Sequence, residues 1–284
     1  MSWPAPGIHE GVPFALYRSD DITQSDTWAT AHGKSISKST IVDFIGDPAA
    51  WKQSQRKQTT KAMRGGSLFD CLLTEPDKFD ERYVLSRYDE FRTNEAKAWR
   101  AEMEESGIEV VKSADLETAQ AQLNAVMSKT EAARLINGSR KQVAFRHKTG
   151  HPFFSKGLID ILPEDTDTIV DIKCCEPRAM ESLRSMQRHI FEWGYHIQAG
   201  NYCQGYSFAG GEERTRFKFI FVTSSAPFRC AVVSLPLAAI LFGADQYTLG
   251  LNRFAKCLAD DAWPSKWDGE VELDLPEYAY SESQ

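Results

Sequence analysis

The sequence predicts an α/β fold, a mixed central β-sheet flanked by helices, and three observations predict it. The stretches QVAFRHK, PFFSKGLIDIL and TIVDIKC read as strands, divided by the turn signal Lys148-Thr149-Gly150 and by the polar run 163–167. A long amphipathic segment, SADLETAQAQLNAVMSKTEAARLI, precedes them. Helix and strand patterns then alternate to the end of the core: a helix over much of 178–208, strands RFKFIFVTS and RCAVVSL, and a final helix LPLAAILFGADQYTLGLNRFAKCLA.

From the start of the chain, residues 1–34 are rich in Pro, Gly, Ser and Asp and predict a loosely structured arm, leaving 35–284 as one domain with a tail that has no periodicity. Ser37 or Ser39 is a cap for a helix through IVDFIGDPAAWKQ that breaks near Pro48, and a second helix runs from about 62 to 73 and stops before Pro76. ERYVLS predicts a strand within an otherwise mixed stretch. In the amphipathic segment Ser113 is the predicted cap, Asp115 and Glu117 fall in the first turn, and Leu116, Leu123, Val126, Met127 and Leu135 line one side. The next three strands are most simply antiparallel neighbours.

Composition bounds the function. The 284 residues carry a net charge of −7 and 42% hydrophobic content, which suits a globular domain with a full core. No apolar run reaches the roughly eighteen residues of a membrane span, and MSWPAPGIHEG lacks the features of a signal peptide, so a cytoplasmic location without a membrane partner is expected. The six cysteines form no CxxC pair and are expected to be reduced. The acidic average hides one basic region: between Ala49 and Phe69 there is no acid, while Lys52, Arg56, Lys57, Lys61 and Arg64 recur at nearly helical intervals beside Trp51. Such a stripe is a solvated helix face or a track for a phosphate backbone.

The chemistry concentrates in GLIDILPEDTDTIVDIK. A turn centred on residues 165 to 166 pairs positions whose numbers sum to about 330 or 331, which sets Asp160 opposite Val170 or Asp171 and makes two carboxylates cross-strand neighbours. Alternation along a strand then puts Lys173 on the face of Asp171, while Ile172 turns into the core and leaves its carbonyl close by. Two carboxylates so placed repel unless a cation lies between them, and hard oxygen donors favour Mg²⁺ or Mn²⁺ over zinc. Salt bridges to nearby Lys or Arg are the plainer alternative. Further on, Gln198 and Tyr202 stand four apart on a helix and share a face, offering an amide and a phenol.

A third motif, RGGSLFDCLLTEPDKFDERYV, completes a resemblance. Gly66, Glu75-Pro76, Phe79 and Tyr83-Val84, then Asp160, then Asp171 and Lys173, then Gln198 and Tyr202 occur in the order and spacing of the RecE-type exonucleases (exonuclease VIII) of the PD-(D/E)xK superfamily, over roughly residues 35 to 280. The resemblance implies a restriction-endonuclease-like core and a metal-dependent exonuclease that degrades one strand of double-stranded DNA from its 5′ end. It implies Asp70, Asp160, Asp171 and the Ile172 carbonyl as metal ligands, Lys173 as the charge or proton handler, and Gln198 and Tyr202 as its support. The basic stripe with Arg184 and Arg188 would follow the DNA, and a ring-like homo-oligomer and a single-strand annealing partner in phage-type recombination are further implications. Asp70 stands where the family has a histidine ligand, and a carboxylate serves a hard ion at least as well. An endonuclease or single-strand nuclease of the same superfamily, and a non-catalytic DNA-binding module, are the alternatives.

Overall fold

The computed structural model describes residue 3 and residues 5–54, 60–164 and 166–275. In chain order the elements begin with β1 (Gly7–His9), α1 (Phe14–Ser19), β2 (Ser35–Ser37), α2 (Lys38–Gly46), α3 (Pro48–Gln53) and α4 (Lys61–Thr74). Next come α5 (Phe79–Arg82), β3 (Tyr83–Leu85), α6 (Asn94–Glu105), β4 (Glu109–Val111), α7 (Ser113–Met127) and α8 (Thr130–Ile136). The second half holds β5 (Arg140–Lys148), β6 (Phe154–Leu162), β7 (Thr168–Cys175), α9 (Leu183–Glu192), α10 (Tyr195–Phe208), β8 (Arg216–Thr223), β9 (Cys230–Leu235) and α11 (Leu237–Asp260).

Seven strands form one mixed sheet in the order β1-β5-β6-β7-β8-β9, with β2 added to β6. The expected run of antiparallel strands is present in β5, β6 and β7, and β8 joins β7 in parallel. Alternation sorts the two faces. Ile169, Phe217, Phe219 and Phe221 pack beneath α10 with Tyr195, Ala199, Tyr202 and Cys203. Val170, Ile172, Ile220 and Val222 face the opposite way, onto Leu68, Phe69, Ala119 and Val126 of α4 and α7. The α/β prediction therefore holds, and both faces of the sheet are covered.

Four local expectations differ from the structure. The first residues do not form a loose arm: β1 pairs antiparallel with β5, Asp21 bridges to Ser35, and the fully buried Lys156 ion-pairs with Asp20 and with Asp21 at 2.8 Å. A buried ammonium is tolerated only when paired, so the segment is anchored by charge as well as by pairing. The amphipathic segment is two helices, α7 and α8, interrupted at Ser128 and Lys129, and Met127 lies 36% exposed. The helix expected over 178–208 breaks at Gly194, whose φ of 58° turns the chain sharply and whose added Cβ would meet Val42 at 2.8 Å. The mixed stretch 80–111 contains α6, capped by Thr93 through the Ala96 amide at 3.2 Å and closed by Gly107 at φ 78°.

The basic stripe is not one helix face. Lys52 lies in the last turn of α3, donates to the Asp26 carbonyl at 3.2 Å and sits 4.7 Å over the Trp263 ring, while its neighbour Trp51 is core. Lys61 and Arg64 belong to α4, and Arg56 and Lys57 lie outside the described residues.

Candidate active site

The site grows from a fork in the sheet. β5 occupies one edge of β6 along its length, so β2 and β7 share the other edge: β2 pairs with Phe154–Lys156, and the β7 ladder reduces to Ile161 opposite Val170. That pairing sums to 331, and it sets Asp160 opposite Asp171 as expected. Beyond it the strands part, and the Ile172 N–H, left without a strand partner, donates to Asp160 Oδ2 at 2.8 Å. The period-two alternation also slips here, since Ile159 faces the α10 side and Ile161 the α4 side. On the neighbouring strand, Gln142 interrupts the ladder between Lys141–Ile161 and Val143–Ile159 and holds φ at 52°, in the left-handed region. Asp160 thus sits at a paired irregularity in two strands.

Asp171, 2% exposed, points to the α10 side, where Gln198 Nε2 donates to its Oδ1 and Lys173 Nζ ion-pairs with its Oδ2. Lys173 lies on the same face and 5.2 Å over the Tyr195 ring. Asp70 enters from α4, whose buried Leu68, Phe69, Cys71 and Leu73 fix the helix against the sheet. Both of its oxygens accept from Gln142 Nε2, at 3.3 and 3.2 Å.

The electrostatics show how close the three acids come. Burial, then Asp171 and Glu75, push the Asp70 carboxyl up to about 7. Burial, then Asp171 and Asp70, hold Asp160 well above the usual carboxylate range. Burial alone would lower the Lys173 ammonium, but Asp171 and Asp160 outweigh it and raise it. Each acid is turned onto an internal donor rather than toward a common point, and among the described residues no three His, Cys, Asp or Glu side chains form a closed metal-holding group. The donor chemistry nonetheless fits a hard divalent cation. Three mutually repelling carboxylates, Asp171 buried and Asp70 and Asp160 half-buried, stand together, and Asp171 Oδ2 has the Lys173 ammonium as its one partner among the described residues.

The remaining motif residues have structural reasons. Glu75 ion-pairs with Lys78 and, at 2.7 Å, with Arg82, and these outweigh burial to lower its carboxyl. Pro76 opens a 3-10 turn, and Phe79 packs on Tyr83 at 5.6 Å between ring centroids. Gln198 supports Asp171 rather than Lys173. Tyr202 does not reach the lysine in this structure: it lies 9% exposed beneath β6, with its ring 5.5 Å from Phe145. Gly157 makes that packing possible, because a Cβ there would lie 2.3 Å from Phe145 and 2.9 Å from Tyr202. Aromatic bulk on the inner face and a glycine on the strand are complementary.

Three contributors escaped the sequence reading. Gln142 has no motif around it, and only its backbone conformation and its bond to Asp70 reveal it. Tyr195 has no motif of its own, yet its ring carries two ammonium groups, Lys173 at 5.2 Å and Lys38 at 5.0 Å. Lys38 opens α2 and donates to the Trp193 carbonyl at 3.0 Å. Beside this cluster a cleft of about 1330 Å³ is lined by Arg64, Lys61, Lys112, Arg188, Cys174 and Tyr195, among others. Lys61 pairs with Asp115 at 3.5 Å, whereas Arg64 and Arg188 show no ion pair among the described residues. Arg184 is exposed on the same helix as Arg188.

One similar solved structure shares this architecture. A protein from Eubacterium rectale, named as a candidate exonuclease, superposes with a TM-score of 0.59 at 14% identity, over 97% of this chain and 100% of its own. A phage related exonuclease from Haemophilus somnus 129PT aligns at 15% identity with a TM-score of 0.37, over 78% of this chain and 94% of its own. No curated protein matches. The fork of β6 and β7 with its acids and lysine lies within residues 37–273, which match the PDDEXK-like domain of unknown function DUF3799, and the chain belongs to that family.

Proposed function

We propose that this protein is a metal-dependent deoxyribonuclease, and more specifically an exonuclease that shortens double-stranded DNA from its ends in the 5′→3′ direction. One observation carries the nuclease reading: at the fork of β6 and β7, Asp160 takes the Ile172 N–H, Asp171 ion-pairs with Lys173, and Asp70 is held on Gln142 of the neighbouring strand. The exonuclease habit draws support from the motif order and from the name of the Eubacterium rectale protein that shares the fold. The polarity draws on the RecE-type resemblance alone.

Asp70, Asp160, Asp171 and the Ile172 carbonyl would hold Mg²⁺ or Mn²⁺, which when bound neutralises phosphate charge and acidifies a coordinated water. Lys173 remains charged between Asp171 and Asp160, so its part is to orient the attacking water or to stabilise charge on the phosphate, rather than to abstract a proton. Gln198 fixes the Asp171 carboxylate, and Gln142 fixes that of Asp70. Arg64 and Arg188 in the cleft meet the phosphate backbone, with Lys61, Arg184 and the stripe residues Lys52, Arg56 and Lys57 as further proposed contacts.

The test is digestion of linear and closed circular duplexes, with Mg²⁺ or EDTA, by the wild type and Lys173→Ala. Linear DNA shortened only with metal, and at least about a hundredfold slower in the variant, is expected for loss of a transition-state group. Metal-independent digestion or an unaffected Lys173→Ala overturns the mechanism. Cutting of closed circles replaces the exonuclease by an endonuclease.

A further inference from the structure

Lys38 lies about 120 residues away in sequence from the catalytic hairpin, yet it shares the Tyr195 ring with Lys173, which places the two ammonium groups no more than about 10 Å apart. No carboxylate lies within ion-pair distance of Lys38 among the described residues, and its one hydrogen bond is to the Trp193 carbonyl. That carbonyl is set by Gly194, whose left-handed turn packs on Val42 of the same helix α2, so both ends of the contact are held by the fold. The Tyr195 ring and Trp193 are both part of the cleft that carries Arg64 and Arg188. Two cations on one aromatic ring repel each other, and the Asp171 carboxylate that ion-pairs with Lys173 offsets only part of that repulsion at Lys38. Burial and then Lys173 pull the Lys38 ammonium down to about 7 against the opposing influence of Asp171 and Asp43, a cost that a further anion beside the two lysines reduces.

We propose that Lys38 and Lys173 form a phosphate-binding pocket over the Tyr195 ring, in which Lys38 takes a backbone phosphate of the nucleic-acid strand adjacent to the one being cut. The pocket rests on the nuclease reading and sharpens it. A lysine suits the place because it meets a phosphate as a compact point charge and demands no fixed fork geometry.

Equilibrium binding of a linear duplex, without divalent metal, is measured across a range of salt for the wild type, Lys38→Met and Lys38→Arg. Lys38→Met is expected to bind about tenfold more weakly at low salt, with the slope of log affinity against log salt smaller by about 0.9, the loss of one phosphate contact, and Lys38→Arg to restore the slope. Neutral methylphosphonate linkages introduced one at a time should include one, next to the cleavage position, that weakens the wild type as much as Lys38→Met does and weakens that variant no further. Thermal melting of Lys38→Met near that of the wild type separates this from a folding defect. An unchanged slope, or linkage effects equal in both proteins at every position, overturns the Lys38 pocket while leaving the nuclease standing. A wild type that neither binds nor cuts DNA removes both.

Discussion

Gln142 donates through Nε2 to both oxygens of Asp70 from a backbone at φ 52°, a conformation that an L side chain adopts at a cost of order 1 kcal/mol or more. The strand thus accepts strain at the position opposite Asp160 in order to hold the acid on α4. Two variants separate strain from function. Gln142→Ala and Gln142→Gly lose the same hydrogen bonds, but only glycine relaxes the backbone. Gln142→Gly should melt about 2–4 °C above Gln142→Ala. Both should cut DNA about tenfold more slowly than the wild type, the scale of one hydrogen bond to a charged group. Equal melting temperatures would show that the left-handed backbone is not strained, and full activity would remove Gln142 from the site.

The raised carboxyls make a pH prediction with a definite sign. Asp70 titrates from an ordinary value of 3.8 to about 7 in the fold, so between roughly pH 4 and 7 the native state holds a proton that the unfolded chain has released. Stability therefore falls as pH rises through that window, and Asp160 adds in the same direction. Without divalent metal, the melting temperature of the wild type should decline from pH 5 to 8 more steeply than that of Asp70→Asn. Added Mg²⁺ or Mn²⁺ should stabilise the wild type more at pH 8 than at pH 5, because the ion competes with the proton for the same oxygens. Parallel melting curves for the wild type and Asp70→Asn would contradict the coupling.

Gln198 shows how the second acid is held. Its amide is the donor to Asp171 Oδ1 and both side chains are buried, so Gln198→Leu leaves a buried carboxylate oxygen unsatisfied. A loss of about 1–3 kcal/mol in stability is expected, read by urea unfolding, together with a fall in cutting rate. The loss should be smaller with Mg²⁺ present, since an ion at Asp171 replaces part of what the amide supplied. A variant as stable as the wild type would indicate that Asp171 finds another donor.

The sequence made the hairpin legible because its turn and its alternation each constrain register: Ile161 opposite Val170 follows from the position of the turn, and the faces of Asp171, Ile172 and Lys173 follow from period two. The same rule hid Gln142 and the slip at Asp160, where the period fails and nothing local announces it. Lys38 and Tyr195 were invisible for another reason. Their meeting depends on α2 packing against the turn at Gly194, a contact between segments about 150 residues apart. Tyr202 was legible as a partner of Gln198 on one helix face, but its burial under Gly157 depends on Phe145 from another strand. By contrast, α6 could have been read, since Thr93 and Gly107 mark both of its ends.

Gly157 offers the last test, three residues before Asp160 on the same strand. A methyl group there would lie 2.3 and 2.4 Å from two ring carbons of Phe145 and 2.9 Å from Tyr202, distances that force both rings or the strand to move. Phe145 is fully buried, so there is no open space for its ring to retreat into. Gly157→Ala should therefore cost about 1–3 kcal/mol, visible as a melting temperature several degrees lower. Because the displaced strand carries Asp160, the cutting rate should fall as well, more than the same loss of stability produces in a core variant on α11. Phe145→Leu opens room for the added methyl, so the double variant should be more stable than the sum of the two single losses predicts. Additive losses would mean that the glycine serves the backbone of β6 and not the aromatic packing that seats Tyr202.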